Sequence, residues 1–226
     1  MPTEALRALR AECEGVSRTV ATLSEAAFAL PTRCPAWNVK ELLGHMLRDV
    51  DRINTALASP RPATADCDSV QYWRRYDPSP ASPDSIGVAE RGKEVAAAYA
   101  TGGDLVRAWN DLWQAALRSA ETAEPDRVVR TWGPALTLDE LVRTRVVEIT
   151  VHGMDLAEAL GRGPWSTDGG RAITVGILNR LLDATPPSFL TWDEITFIEK
   201  GTGRRTLTEK ERRDLGTAAD RFPLLA

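Results

Sequence analysis

Residues 138–160, LDELVRTRVVEITVHGMDLAEAL, read as one long helix. Val142, Val146, Ile149, Leu156 and Leu160 recur at helical spacing and form its apolar stripe. Thr137 with Glu140 gives the sequence pattern of a capping box at the start, and Gly161 and Gly163 close the end. Inside this helix Glu148 and His152 are four residues apart. At 3.6 residues per turn their side chains lie about 40° apart on one face. Both border the apolar stripe, near Leu141 and Ala159, rather than the opposite solvated face. A helix offers two ligands to one ion with this spacing, and it also forms ordinary side-chain contacts with it.

The chain holds one other histidine, and its setting is similar. Asn38 followed by Glu41 predicts a second capping box, opening a helix that runs to about Leu57 and ends before Ser59-Pro60. Its stripe is Leu42, Leu43, Met46, Val50, Ile53 and Leu57, and His45 borders that stripe beside Asp49 and Arg52. Two helices therefore each bring a histidine to the edge of a shared core.

Outward from these two helices, Leu6, Leu9, Val16, Val20 and Leu23 predict a helix between about Thr3 and Phe28. Another helical stretch runs from Gly87 to about Thr122, with a break expected near Gly102-Gly103. Residues 59–86 carry five prolines and read as a long irregular connection holding one aromatic-basic knot, Tyr72-Trp73-Arg74-Arg75-Tyr76. Past Pro164 a fifth helix capped by Ser166 reaches about Leu182. A β-hairpin is expected over Trp192–Leu207 around Gly201-Thr202-Gly203, and a third capping box, Thr208 with Glu211, opens a last short helix. The fold class is mostly α: an up-down four-helix bundle over residues 1–163 and a small α+β extension over 164–226.

Composition narrows the partners. At 226 residues with 43% hydrophobic and 27% charged residues, the chain can bury a core without staples. A net charge of -4 gives no footprint for nucleic acid. The one basic cluster, Arg204, Arg205, Lys210, Arg212 and Arg213, alternates with Glu209, Glu211 and Asp214 and reads as a solvated face. No run approaches the roughly 18 apolar residues of a membrane span, and the N-terminus has no apolar signal core. With Cys13, Cys34 and Cys67 at no metal-ligand spacing, the expectation is a cytoplasmic protein with free thiols. Cys34, in CPAW, is accounted for by a proline turn and a buried small side chain. Lysine occurs only at positions 40, 93, 200 and 210, an arginine bias that points to a GC-rich bacterial genome.

Two imidazoles and a carboxylate suit Zn²⁺ with one position left open, as in catalytic zinc sites. The same set suits Fe²⁺. Asp155, one turn past His152, and Asp49, one turn past His45, are candidates to orient the imidazoles or to act as a base. Arg52 and Arg145 are candidates to receive a substrate carboxylate, or are structural ion pairs. The Tyr72–Trp73–Arg74 knot is a candidate lid over a cofactor or substrate, or an anchor for its loop.

TRCPAWNVKELLGHMLRDVDRI (32–53) and TRVVEITVHGMDLAEALG (144–161) resemble the second- and fourth-helix signatures of the DinB-like, mycothiol-dependent maleylpyruvate isomerase family, and DRFPLLA (220–226) resembles C-terminal ends among its actinobacterial members. That resemblance implies a zinc ion on His45, Glu148 and His152, and the small thiol mycothiol as cofactor. It implies an enzyme that activates mycothiol as a metal-bound thiolate for attack on a small electrophile, by S-transfer or by maleylpyruvate-type cis–trans isomerisation. Isomerases of the family usually carry a larger α/β C-terminal domain, whereas residues 164–226 follow the bundle here. The alternatives are a hydrolase using metal-bound water and a thiol- or small-molecule-binding module without turnover, each as a monomer or homodimer.

Overall fold

Helices carry the structure, as the apolar spacing predicts. The computed structural model describes residues 2–76, 81–184, 186–187 and 190–225, so Pro78 and Pro80 of the long connection lie outside the described residues. In chain order the elements are α1 (Glu4–Val20), α2 (Glu25–Phe28), α3 (Val39–Ala58), α4 (Ser69–Arg74), α5 (Pro83–Ala97) and α6 (Gly102–Thr122). They continue with β1 (Val128–Arg130), β2 (Ala135–Thr137), α7 (Leu138–Ala159), α8 (Asp168–Leu182), α9 (Glu194–Gly201), α10 (Glu209–Leu215) and a closing 3₁₀ turn.

The bundle consists of α1, α3, α6 and α7, with α1 and α3 each packed against both α6 and α7. Leu9, Val16, Leu43, Met46, Val50, Trp109, Leu117, Val142 and Ile149 meet in its core. Ile173, Ile177 and Leu178 of α8 and Phe197 and Ile198 of α9 join the same core, so the C-terminal segment extends it. The expected break near Gly102-Gly103 is real. Thr101 and Asp104 form a reciprocal capping box there, and a side chain on Gly102 would overlap the Phe28 ring. The stretch is therefore two helices, of which α6 completes the bundle and α5 lies outside it on α3.

Asn38 and Glu41 cap α3 reciprocally, at 2.9 Å in each direction. The third-residue glutamate of α7 behaves differently. Thr137 accepts from the Glu140 amide, but the Glu140 carboxylate accepts from the Ser69 amide at 2.7 Å instead. One side chain thus ties the start of α4 to the start of α7. This connection also holds a short hairpin the sequence reading did not anticipate: β1 pairs antiparallel with β2, Val129 opposite Leu136.

Helix α5 lies close to α3 because two glycines meet. A Cβ on Gly44 would stand 2.8 Å from the Gly92 carbonyl oxygen and 3.0 Å from the Ala96 nitrogen. Gly44→Ala is expected to cost about 1–3 kcal/mol as the backbones are forced apart, read from the urea midpoint. An unchanged midpoint would show that the crossing does not depend on this approach.

The expected β-hairpin over Trp192–Leu207 is corrected: residues 194–201 are helical. Asp193 caps α9 by accepting from the Thr196 amide at 2.7 Å, and Phe197 and Ile198 face inward as neighbours, which a strand cannot arrange. Gly203, at φ +74, ends the helical segment with the left-handed residue that a sequence reading takes for a hairpin turn. Eight residues are too few to separate the two periods. Thr167, one residue after the expected Ser166, caps α8.

The last capping box holds the tail together. Glu211 accepts from the Thr208 backbone and also from the buried Lys200 ammonium at 2.8 Å and from Trp192 Nε1 at 2.7 Å. Burial opposes the charge on Glu211, but the hydrogen bonds from Lys200 and Thr208 outweigh it and bring its pKa down to about 2. Glu211→Gln, which strands the Lys200 charge, is expected to cost about 3 kcal/mol. Because the folded pKa is depressed, this contribution is complete above the ordinary carboxylate range and disappears as pH falls toward about 2. Hydrogen exchange over 194–215 in both proteins at pH 7 and pH 3 checks it, the difference between them shrinking at the lower pH.

Candidate metal centre and its cavity

The two histidines and the glutamate converge. Helices α3 and α7 pack directly against each other, and their stripe-edge positions meet at a common point. Glu148 Oε2 lies 3.5 Å from His45 Nε2 and 3.3 Å from His152 Nε2. The imidazole rings are edge-to-face, centroids 4.8 Å apart. Bonds of about 2.0–2.1 Å to a tetrahedral ion separate neighbouring donors by about 3.4 Å. Both nitrogen–oxygen separations match that edge.

Other features also suit a cation. Asp49 Oδ2 sits 3.0 Å from His45 Nε2, so two carboxylates approach the same nitrogen. His45 Nδ1, by contrast, is buried without a hydrogen-bond partner among the described residues. Burial resists charge on all these groups, yet the pairing is stronger. His45 is raised above the ordinary imidazole range, chiefly by Asp49, and His152 more so, chiefly by Asp155. Glu148, against both burial and the nearby Asp49 charge, is brought down to about 2 by the two imidazoles. Imidazoles held this way accept either protons or a metal ion, and the donor set fits Zn²⁺ or Fe²⁺.

The two second-rank acids differ in what they do. Asp155 Oδ2 lies 2.9 Å from His152 Nδ1, on the far side of the ring from Glu148, which leaves Nε2 directed at the cluster. Asp49 does not serve His45 in that way. It approaches Nε2 itself, and its other oxygen pairs with Arg52 at 3.0 Å and Arg145 at 3.1 Å. His45 is instead placed by Trp37, whose ring stacks on it at 4.5 Å.

A cavity of about 900 Å³ opens over the cluster. Arg52, Tyr72 and Trp73 line it with Trp37, Arg48, Arg91 and Tyr76. Two of the expected contact residues lie elsewhere. Arg145 is fully buried beneath the cavity, held between Asp49 and the Tyr72 hydroxyl, 3.2 Å away. Arg74 donates to the Arg180 carbonyl and lines a separate surface hollow with Leu181 and Arg221. Tyr72 also accepts from Trp132 Nε1, so the knot is anchored through Tyr72 while Trp73 and Tyr76 face the cavity.

The structure adds a second layer that the sequence reading missed. Arg204, assigned to a solvated face, reaches back from the C-terminal segment to Asp155, Nη2 to Oδ2 at 3.0 Å. Arg33 meets Asp155 Oδ1 at 2.6 Å and Glu199 at 2.9 Å. Cys34 is half-buried at the cavity wall, its Sγ 3.1 Å from Asp155 Oδ2 and 4.0 Å from His152 Nδ1. Cys34, His152 and Asp155 are a second group of possible metal donors, but two guanidiniums already neutralise Asp155. Nothing local in the sequence marks Arg204, and Cys34, expected as a buried small side chain in the CPAW turn, is instead half-buried at the cavity.

Fold and site together define a helical-bundle protein with a His–Glu–His cluster of possible metal donors, its glutamate half-buried, at a ligand-sized cavity. The profile of the mycothiol maleylpyruvate isomerase N-terminal domain matches residues 9–157, and the chain belongs to that family. An uncharacterized protein of Mycobacterium tuberculosis, recorded from two strains, is 29% identical over 154 residues, 68% of this chain and 55% of that protein. The chain thus spans about half the length of the curated relatives it matches. A crystal structure of a mutant mycothiol-dependent maleylpyruvate isomerase superposes with a TM-score of 0.53 at 15% identity, over 79% of this chain and 68% of that one, a likeness of fold. No helix among the described residues is long and apolar enough to cross a membrane.

Proposed function

We propose that the protein is an enzyme that uses mycothiol, a small thiol, on a small electrophile in the cavity, with cis–trans isomerisation of an alkene conjugated to a carbonyl as the first reaction to test. The observation that carries the reading is the convergence of His45 Nε2, Glu148 Oε2 and His152 Nε2 at the cavity floor. Family membership supports it.

In this reading His45, Glu148 and His152 hold a zinc ion. Zinc held there would favour the deprotonated form of a thiol. The protein's own groups prepare the cluster. Asp155 fixes the tautomer and direction of His152. Burial opposes charge on Asp155, but its hydrogen bond with His152 and the Arg204 guanidinium hold it ionised, well below the usual carboxylate range, while Arg33 pairs with its other oxygen. Trp37 covers His45 and limits water above it. Asp49 is poorly suited to act as the base that hydrolysis would need, because Arg52 and Arg145 engage its other oxygen.

Metal analysis of the purified protein, followed by turnover assays of a cis-configured unsaturated keto acid with and without mycothiol, tests the reading. Stoichiometric zinc and strictly thiol-dependent isomerisation are the expected result. Thiol-dependent conjugate formation would place it with S-transferases, thiol-independent cleavage of an ester or amide with hydrolases, and thiol binding without turnover with binding modules. Absence of both metal and thiol binding would end the proposal.

A further inference from the structure

We propose that Arg48 and Arg91 form an anion subsite in the cavity, beside the His45–Glu148–His152 cluster, which takes the carboxylate of a small acidic ligand. This deepens the reading above, and rests on it only for treating that ligand as the electrophile.

The arginines of the cavity divide into two sets. Arg33 and Arg204 are paired with Asp155, and Arg52 is paired with Asp49. Arg48 and Arg91 also line the cavity, yet among the described residues neither has an ion pair or a hydrogen bond. Arg48 Nη1 and Arg91 Nε are shut off from water with no acceptor. Guanidinium donors left in that state are costly unless something supplies oxygen atoms to the group.

Backbone packing explains why the two belong to one place. Helices α3 and α5 come together at Gly44 and Gly92. Arg91 adjoins Gly92, and Arg48 is one turn beyond Gly44. Burial and the neighbouring charges of Arg52, Arg91 and Arg145 hold Arg48 below its ordinary basicity, the effect of gathering cations with too few anions among them. Of the five arginines that line the cavity, Arg33, Arg52 and Arg204 have carboxylate partners, and Arg48 and Arg91 have none among the described residues. A planar guanidinium presents paired N–H donors that match the two oxygens of a carboxylate.

Position gives the subsite its use. Arg48 follows His45 by three residues on α3, a rise of about 4.5 Å. A ligand anchored there by its carboxylate would extend over the donor cluster. Arg52 and Arg145, the arginines that sequence spacing favours for this role, are occupied by Asp49.

The test is a titration of the full-length protein with maleate and, separately, with inorganic phosphate. It is followed by calorimetry and by the fluorescence of Trp37, Trp73 and Trp132, which line the cavity. Maleate should bind wild type more tightly than phosphate does. Arg48→Gln and Arg91→Gln should each weaken maleate binding about tenfold or more, equivalent to about 1.4 kcal/mol. Arg74→Gln, outside the cavity, should leave it unchanged. Should Arg48→Gln not fold, Arg91→Gln carries the test. Equal maleate affinity in wild type and a folded Arg91→Gln overturns the proposal. So does absence of maleate binding, or phosphate binding as tight as maleate. Each readout is binding, so the subsite stands or falls separately from thiol-dependent turnover.

Discussion

His152→Ala is expected to abolish stoichiometric metal binding while leaving the helical far-ultraviolet signal nearly intact. In the proposed site the imidazole would supply one of three donors, and Glu148 Oε2 at 3.3 Å would lose one of its two histidine neighbours. The loss in metal affinity should exceed the 10–100-fold typical of removing an outer hydrogen-bond partner. Zinc content by mass spectrometry after dialysis against a mild chelator measures it, and thiol-dependent activity should vanish in parallel. The helix itself should survive, because Val146, Ile149 and Leu156 anchor α7 in the core. Full zinc content in a folded His152→Ala protein would remove the metal site, and the thiol chemistry with it.

Asp155→Asn should have the second-largest effect, and it acts on two properties at once. The Asp155 carboxylate is completely buried and serves His152, Arg33 and Arg204 together. Arg33 would keep Glu199, but Arg204 would lose its only carboxylate partner among the described residues. Removing one member of a buried ion network costs about 3–5 kcal/mol, and urea unfolding of metal-free protein reads that cost directly. An asparagine can also present its amide group to His152 Nδ1, favouring the wrong tautomer, so zinc affinity should drop roughly 10–100-fold as well. A stability change below about 1 kcal/mol, the size of an ordinary surface substitution, would show that the network is not a support for the site.

Much of this could be read from the chain. The 3.6-residue period located all four bundle helices, since each must bury one stripe and the stripe is written in the residues. Two of the three expected capping boxes formed as written. The third did not, because Glu140 found a stronger use at the Ser69 amide, a partner 71 residues distant. The meeting of His45, Glu148 and His152 was legible for a similar reason: the chain's two histidines, one with a glutamate a turn before it, stand at the rim of two apolar stripes that share a core.

Roles that depend on distant partners were not legible. Arg145 and Arg204 are both arginines in ordinary helical or loop contexts. For Arg145 the structural ion pair, one of the two expected alternatives, is the arrangement found, with Asp49, while Arg204 reaches from the tail to Asp155. The segment 192–207 was misread because its period could not be told apart over so short a run, and only the packing of Phe197 and Ile198 on the bundle fixes it as a helix.

Local chemistry along the chain therefore determined the helices, their principal caps and which side chains stand at the rim of the two stripes. The tertiary structure alone decided which nitrogen each imidazole turns to the centre, which carboxylates are already matched by arginine, and which arginines have no partner among the described residues. The physical reason is range. Helical periodicity and capping act within a few residues, whereas charge pairing and burial are set by whichever groups the packing of α3, α5, α7 and the tail brings within about 3–4 Å.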